Sequence, residues 1–262
     1  MPIEKTRLGI CEWTTFRATF EEELAAYRAA GAGAIGILEF KVAGVDDVRG
    51  KLRESGLAVS ACLPESGSIL PSPLIPGPDE PEARVDAICA SIGRLAELEP
   101  SCVFFLTGPG EDSAAVVEGI ERIGEAGARH GVRVALEPIH PTQADVLSFV
   151  HTIDDALELI GDAEVGILFD TWHLQEVSRV ERIWGVHVAD RREPTRSDFD
   201  RLLPGEGSRA ALRALEAGGY DGWYDVEVMS DDGAFGDAFP DSLWALPTGE
   251  LARRAVESME EL

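Results

Sequence analysis

Asp170 and His173 end the segment Val165 to Leu174, VGILFDTWHL, and an acid three residues before an imidazole can do chemistry. Val165 to Phe169 reads as a strand buried on both faces, because it is almost continuously apolar and too short for a helix. An Asp at that point can also simply cap the next helix. Three further segments repeat the arrangement: Glu137 follows the apolar run Val132 to Leu136, His187 stands within VHVAD, and Glu227 within YDVEVMS. Each has a structural alternative, Glu137 as a helix cap, His187 as a satisfied core histidine, and Glu227 in an ion pair with Arg133 or Arg192. Three buried carboxylates together, however, would repel and raise one another's pKa unless a cation compensates. A divalent metal held by Glu137, Asp170, His187 and Glu227 supplies that compensation. Oxygen donors with one imidazole suit Mn²⁺ or Mg²⁺ ahead of Zn²⁺, with Co²⁺ acceptable, and no cysteine is expected to compete. Four side chains leave coordination positions open to a chelating substrate.

Side chains of this kind need a scaffold that gathers strand ends. The chain repeats a short apolar strand, a polar break and a helical stretch. Strands are expected at Leu8 to Trp13, Ala34 to Phe40, Leu57 to Leu63, Cys102 to Leu106, Val132 to Leu136, Val165 to Phe169, Ile183 to Val188 and Trp223 to Val228. Helical stretches separate them, such as Thr19 to Ala30 stopped by Gly31, and Arg84 to Leu98. Only a short helix around Val177 to Arg182 fits between the sixth and seventh strands, and Thr248 to Leu262 forms a final helix. Eight such units in 262 residues predict an α/β fold, a single (β/α)8 TIM barrel over 1–262, whose strand ends face the active-site mouth. The prolines between Pro64 and Pro81 forbid regular structure. That stretch is expected at the mouth, either as a lid or as a rigid proline-braced rim.

Lys and Arg number 23 against 48 Asp and Glu, a net charge of -25 that repels nucleic-acid phosphate and anionic membrane, so neither is an expected partner. No stretch reaches membrane-span length, and MPIEKTRLGI lacks the apolar region of a secretion signal, so a cytoplasmic protein is expected. Cys11, Cys62, Cys89 and Cys102 lack metal-finger spacing and read as free thiols in a reducing compartment.

The chain resembles the xylose-isomerase-like TIM-barrel superfamily of sugar phosphate isomerases and epimerases over nearly its whole length. The resemblance rests on ALEPIHP at Ala135 to Pro141, FDTWHL at Phe169 to Leu174, HVADRREPTR at His187 to Arg196, LPGEG at Leu203 to Gly207, and GYDGWYDVEV at Gly219 to Val228. It implies that Glu137, Asp170, His187 and Glu227 are metal ligands. It also implies that the two glutamates flank the substrate as acid and base and that His173 hydrogen-bonds a substrate oxygen. The expected activity is a metal-dependent isomerase or epimerase. A sugar- or polyol-derived carbonyl compound, a hydroxy-keto acid or an inosose would lose a proton to one glutamate, pass through a metal-stabilised enediolate and regain a proton from the other. A dehydratase or lyase, expelling a β-hydroxyl from the same enolate, is the alternative; homo-oligomerisation is left open.

Other residues carry weaker expectations. His140 either orients substrate or is held by its own loop, and among Arg191, Arg192 and Arg196 the last, completing the PTR of its motif, is the preferred substrate contact. Trp13, Trp172 and Phe40 are candidates for an apolar wall, and Asp231, Asp232, Asp237 and Asp241 read as a solvated loop. A multi-zinc phosphodiesterase of the endonuclease IV type would need further histidines beyond the five present. In a metal-free binding protein the four buried ligands would be a liability.

Overall fold

Strands that are apolar on both faces must be covered on both, and closing eight of them into a cylinder inside a ring of helices achieves this. The computed structural model describes residues 7–110, 113–197 and 199–262. Strands β1 (Leu8–Cys11), β2 (Ala34–Leu38), β3 (Ala58–Leu63), β4 (Cys102–Phe105), β5 (Val134–Leu136), β6 (Gly166–Asp170) and β7 (Ile183–Val188) run parallel in chain order around the barrel. A two-stranded antiparallel ribbon, β8 (Asp190–Arg191) with β9 (Arg201–Leu202), comes next, and β10 (Tyr224–Val226) closes the barrel by pairing with β7 and β1. The helices are α1 (Phe20–Ala30), α2 (Glu39–Val42), α3 (Val48–Ser55), α4 (Pro81–Leu95), α5 (Ser113–His130), α6 (Ile153–Ile160), α7 (Glu206–Ala217) and α8 (Thr248–Glu260). None among the described residues is long and apolar enough to cross a membrane. The reading of the N-terminal segment as lacking a leader falls largely on residues 1–6, outside the described residues.

The core has two layers. A large cluster fills the space between strands and helices, and a small one, Ala61, Cys102, Phe104, Ala135 and Leu168, fills the barrel itself. Local signals set the helix ends. Thr19 and Glu22 form a capping box at the start of α1, and Gly31 ends it at φ 86°, a left-handed conformation that suits glycine.

Several expected boundaries shift. The first strand stops at Cys11, not Trp13, and the second at Leu38, where α2 begins. The helix expected around Val177 is only a 3₁₀ turn, Val180–Arg182. The proline-rich stretch after β3 is a braced rim and not a free lid. Its Ser68 pairs with Leu106 beside β4, and the buried Arg84 of α4 donates to the carbonyls of Ser68, Ile75, Pro76 and Pro78 and to Ser68 Oγ. Charged hydrogen bonds to so many carbonyls hold a segment that has no ladder of its own. Arg84→Leu is therefore expected to cost at least about 2 kcal/mol in denaturant unfolding and to speed amide exchange across residues 68–78. Exchange unchanged there would show that the prolines alone stiffen the rim.

Candidate metal and substrate site

Glu137 and Glu227 each lie one residue beyond a strand, yet the backbone ladder carries on through them: Glu137 N–H donates to Phe105 O at 3.0 Å and Glu227 N–H to Val188 O at 3.1 Å. Alternation along the strand then turns both carboxylates into the barrel mouth. Asp170 is the last residue of β6 and pairs in register with His187 of β7. After Asp170 the chain turns sharply. The side chain of Asp170 accepts from Trp172 N at 2.6 Å, and its carbonyl from His173 N and Leu174 N. The structure thus brings together Glu137, Asp170, His187 and Glu227, with one donor atom from each lying within 4.8 Å of the others.

All four are buried, and His187 is packed edge-on against Phe104 with ring centroids 5.1 Å apart. His187 Nδ1 is 3.3 Å from Glu227 Oε1 and 3.9 Å from Glu137 Oε1, but neither ring nitrogen makes a hydrogen bond. A fully buried imidazole without a hydrogen-bond partner, facing three carboxylates, is a donor set suited to a divalent cation. The charges act strongly on one another. Burial, then the Glu227 charge, raises Glu137 well above the ordinary carboxylate range, and burial also raises Asp170. Burial opposes ionisation of Glu227 too, but His187 and Arg201 hold it below its usual value. Burial would lower His187, yet the Glu227 carboxylate, with Glu137, pushes it up to about 10.

Arg201 is the residue that sequence reasoning missed. Its Nη1 donates to Asp170 Oδ2 at 2.8 Å and Glu227 Oε2 at 2.7 Å, and its guanidinium lies 5.1 Å from the Trp172 ring centroid. It reaches the site because the β8–β9 ribbon pairs Arg191 with Arg201, while Asp190 accepts from the first turn of α7 at Gly207 N and Ser208 N. An arginine followed by Leu202 and Leu203, two residues before the start of LPGEG, was the available signal.

Arg196, the expected substrate contact, is placed elsewhere. It is exposed, paired with Asp200 and Asp241, and stacked on Phe239, so its charge is already compensated outside the cavity. His140 belongs to its loop, where its ring accepts from Thr142 N; its own backbone N–H donates to His173 Nδ1 at 3.0 Å. That donor fixes the His173 tautomer. With burial and then Arg201 holding the ring neutral, the remaining hydrogen sits on Nε2, at the cavity. Trp172 is fully buried behind Arg201 and forms no wall, whereas Trp13 lines the cavity and Phe40 packs against it. Asp231 is not solvated. It is buried and accepts from the backbone of Gly233, Phe235 and Asp237, folding that loop. A cysteine does stand at the site: Cys11 Sγ donates to Glu227 Oε1 at 3.6 Å and can join His187 and Glu227 around a cation. Burial, then the Glu227 charge, keeps it a thiol.

In chelator-treated protein, Arg201→Leu leaves two buried carboxylates without their cation and is expected to lower stability by about 3–5 kcal/mol. Denaturant unfolding measures this, and Arg201→Lys should recover part of the loss. A drop under about 1 kcal/mol would mean that protons, not Arg201, neutralise the cluster.

The family described as xylose isomerase-like TIM barrel matches residues 24–262. The inosose dehydratase of Geobacillus thermodenitrificans is 22% identical over 147 residues, 46% of this chain and 48% of its own, so the match spans about half of that relative. Protein SMc04130 from Sinorhizobium meliloti superposes with TM-score 0.81 at 25% identity, covering 97% of this chain and 98% of that one. The IOLI protein, solved with a bound zinc atom, superposes with TM-score 0.75 at 18% identity over 96% of each chain. The 3-keto-D-glucoside 4-epimerase YcjR of E. coli does so with TM-score 0.68 at 18% identity, covering 98% and 99%. With its closed barrel and a family match over most of its length, the chain belongs to the xylose isomerase-like TIM barrel family.

Proposed function

We propose that this protein is a divalent-metal-dependent isomerase or epimerase of a small hydroxy-carbonyl compound, a sugar, hydroxy-keto acid or inosose. Glu137, Asp170, His187 and Glu227 hold the metal, and Glu137 and Glu227 transfer the proton. The observation that carries this reading is the convergence of these four buried side chains at the barrel mouth, with neither His187 nitrogen hydrogen-bonded. When bound, a divalent cation supplies positive charge beside the substrate carbonyl, which lowers the cost of the enediolate left when a carbon-bound proton departs.

The protein's own groups do the rest. Glu137 and Glu227 come from β5 and β10, on separate strands, so one can take a proton while the other returns one. His173 directs its Nε2 hydrogen at a substrate oxygen, held in that tautomer by His140 N–H. Arg201 Nη2, 3.2 Å from His173 Nε2, can bind the same oxygen or its neighbour. The oxygen-rich donors favour Mn²⁺ or Mg²⁺. The zinc in IOLI, together with Cys11 beside Glu227, brings Zn²⁺ into the same comparison. The second reading is a dehydratase, favoured by the similarity to inosose dehydratase, in which the same carbanion expels a β-hydroxyl.

Two measurements test this. Chelator-treated protein is expected to rise in melting temperature with Mn²⁺, Mg²⁺, Co²⁺ or Zn²⁺, because a ligand of the folded state alone shifts unfolding; Asp170→Ala should abolish the response. A wild-type protein unmoved by all four ions would end the metal reading. In D₂O, metal-loaded protein should incorporate deuterium beside the carbonyl of ketoses, aldoses, hydroxypyruvate or inososes. Glu137→Gln and Glu227→Gln should each lower that exchange roughly 10²- to 10⁴-fold with metal still bound. Exchange that persists in either variant would reduce that glutamate to a ligand only, and net loss of one water from an inosose, read by the mass of the product, would select the dehydratase.

A further inference from the structure

The walls above the carboxylates are almost wholly apolar. Phe104 and Leu106 rise from the end of β4, Ile139 and Leu147 face them from the segment after β5, and Phe199 and Met229 complete that side. Apart from the neutral His173 and the Trp13 indole, Gln143 is the one uncharged polar side chain among the described lining residues, and its Oε1 is buried without a hydrogen-bond partner. Arg201 is the one Arg or Lys of that lining, and its Nη1 is engaged by Asp170 and Glu227. A phosphate dianion would therefore meet two lining carboxylates and a single arginine already shared between Asp170 and Glu227, and beyond His173, Gln143 and Arg201 Nη2 a polyhydroxylated chain would find apolar walls in place of the water each hydroxyl loses.

The rim points the same way. Among the described residues the large hydrophobic side chains left exposed are Phe40, Leu74, Val117 and Phe235. Leu74 and Phe235 line the cavity, and Phe40 packs on Trp13, which also lines it. Apolar surface concentrated around a concave mouth marks a site for an apolar ligand group.

We propose that the substrate is an unphosphorylated hydroxy-carbonyl compound whose end distal to the carbonyl is an aryl or branched alkyl group, seated between the Phe104 side and the Leu74–Phe235 rim. One donor on that group reaches Gln143 Oε1. This rests on the metal and enediolate reading above and narrows it to a substrate class.

The test uses full-length protein loaded with Mn²⁺ or Zn²⁺ and four bidentate chelators of one type: acetohydroxamate, benzohydroxamate, D-threonohydroxamate and phosphoglycolohydroxamate. Affinities from titration calorimetry are divided by each chelator's affinity for the free ion. Benzohydroxamate is expected to bind at least about tenfold tighter than acetohydroxamate and to be the tightest of the four, since one methylene in an apolar pocket is worth roughly 10-fold or more. Leu74→Ser and Phe235→Ser, each checked for an unchanged fold by circular dichroism, should each reduce the benzo-to-aceto ratio by at least about threefold. A ratio near one, or tightest binding of the threono or phospho compound, would overturn the proposal and leave the metal reading standing. No binding of any of the four to protein with its metal bound would overturn the proposal together with the reading that the bound metal keeps positions open to a chelating substrate.

Discussion

The mutual repulsion of three buried carboxylates governs this structure. Glu137, Asp170 and Glu227 are set at the ends of neighbouring or nearby strands, where the barrel geometry leaves them no way to turn out into solvent. Charges so placed must be met by opposite charge or by protons. The protein uses both: Arg201 bridges two of the carboxylates, His187 is driven towards its charged form, and Glu137 is driven towards its neutral one. The donor set that results, three carboxylates and an imidazole within 4.8 Å of one another, has the chemistry of a divalent-cation site.

Supporting that balance takes features well away from it. Trp172 backs Arg201, Asp190 ties the ribbon that carries Arg201 to the start of α7, and His140 fixes the tautomer of His173. Deeper in the barrel another buried acid, Asp225, projects into space left by Gly9 and Gly36, where a side chain on Gly9 would overlap it, and burial pushes its pKa up to about 6. The polar part of the site is thus a stack of buried acids extending down the barrel axis, and it is closed above by apolar walls.

That division between a charged floor and apolar walls has consequences for chemistry. Excluding water strengthens each charge at the floor. The walls also decide what can enter. Specificity in this fold resides in the mouth loops while the floor is set by strand ends, so one acid-base floor can serve different substrates as the loops vary.

Local sequence was enough to mark Glu137, Asp170, His187 and Glu227. Each is fixed by its own strand, where an apolar run sets the period, and a polar residue at its carboxyl end has one direction to point in a parallel barrel. The eight strands of the barrel followed from the same periodicity, whereas the β8–β9 ribbon and α2 did not. The placement of Arg201 at the carboxylates and of Arg196 away from them, the burial of Asp231, the turning away of Trp172 and the presence of Cys11 beside Glu227 could not be read that way. Their side chains are aimed by pairings between distant segments: the ribbon joining residues 190–191 to 201–202, the Arg84 brace, and the loop wrapped around Asp231. Such segments lack a repeating pattern, and two positions a few residues apart can face opposite sides of the molecule. The sequence by itself therefore determined which residues stand at the strand ends, and the tertiary structure decided which cation and which walls surround them, because those depend on contacts that no local periodicity encodes.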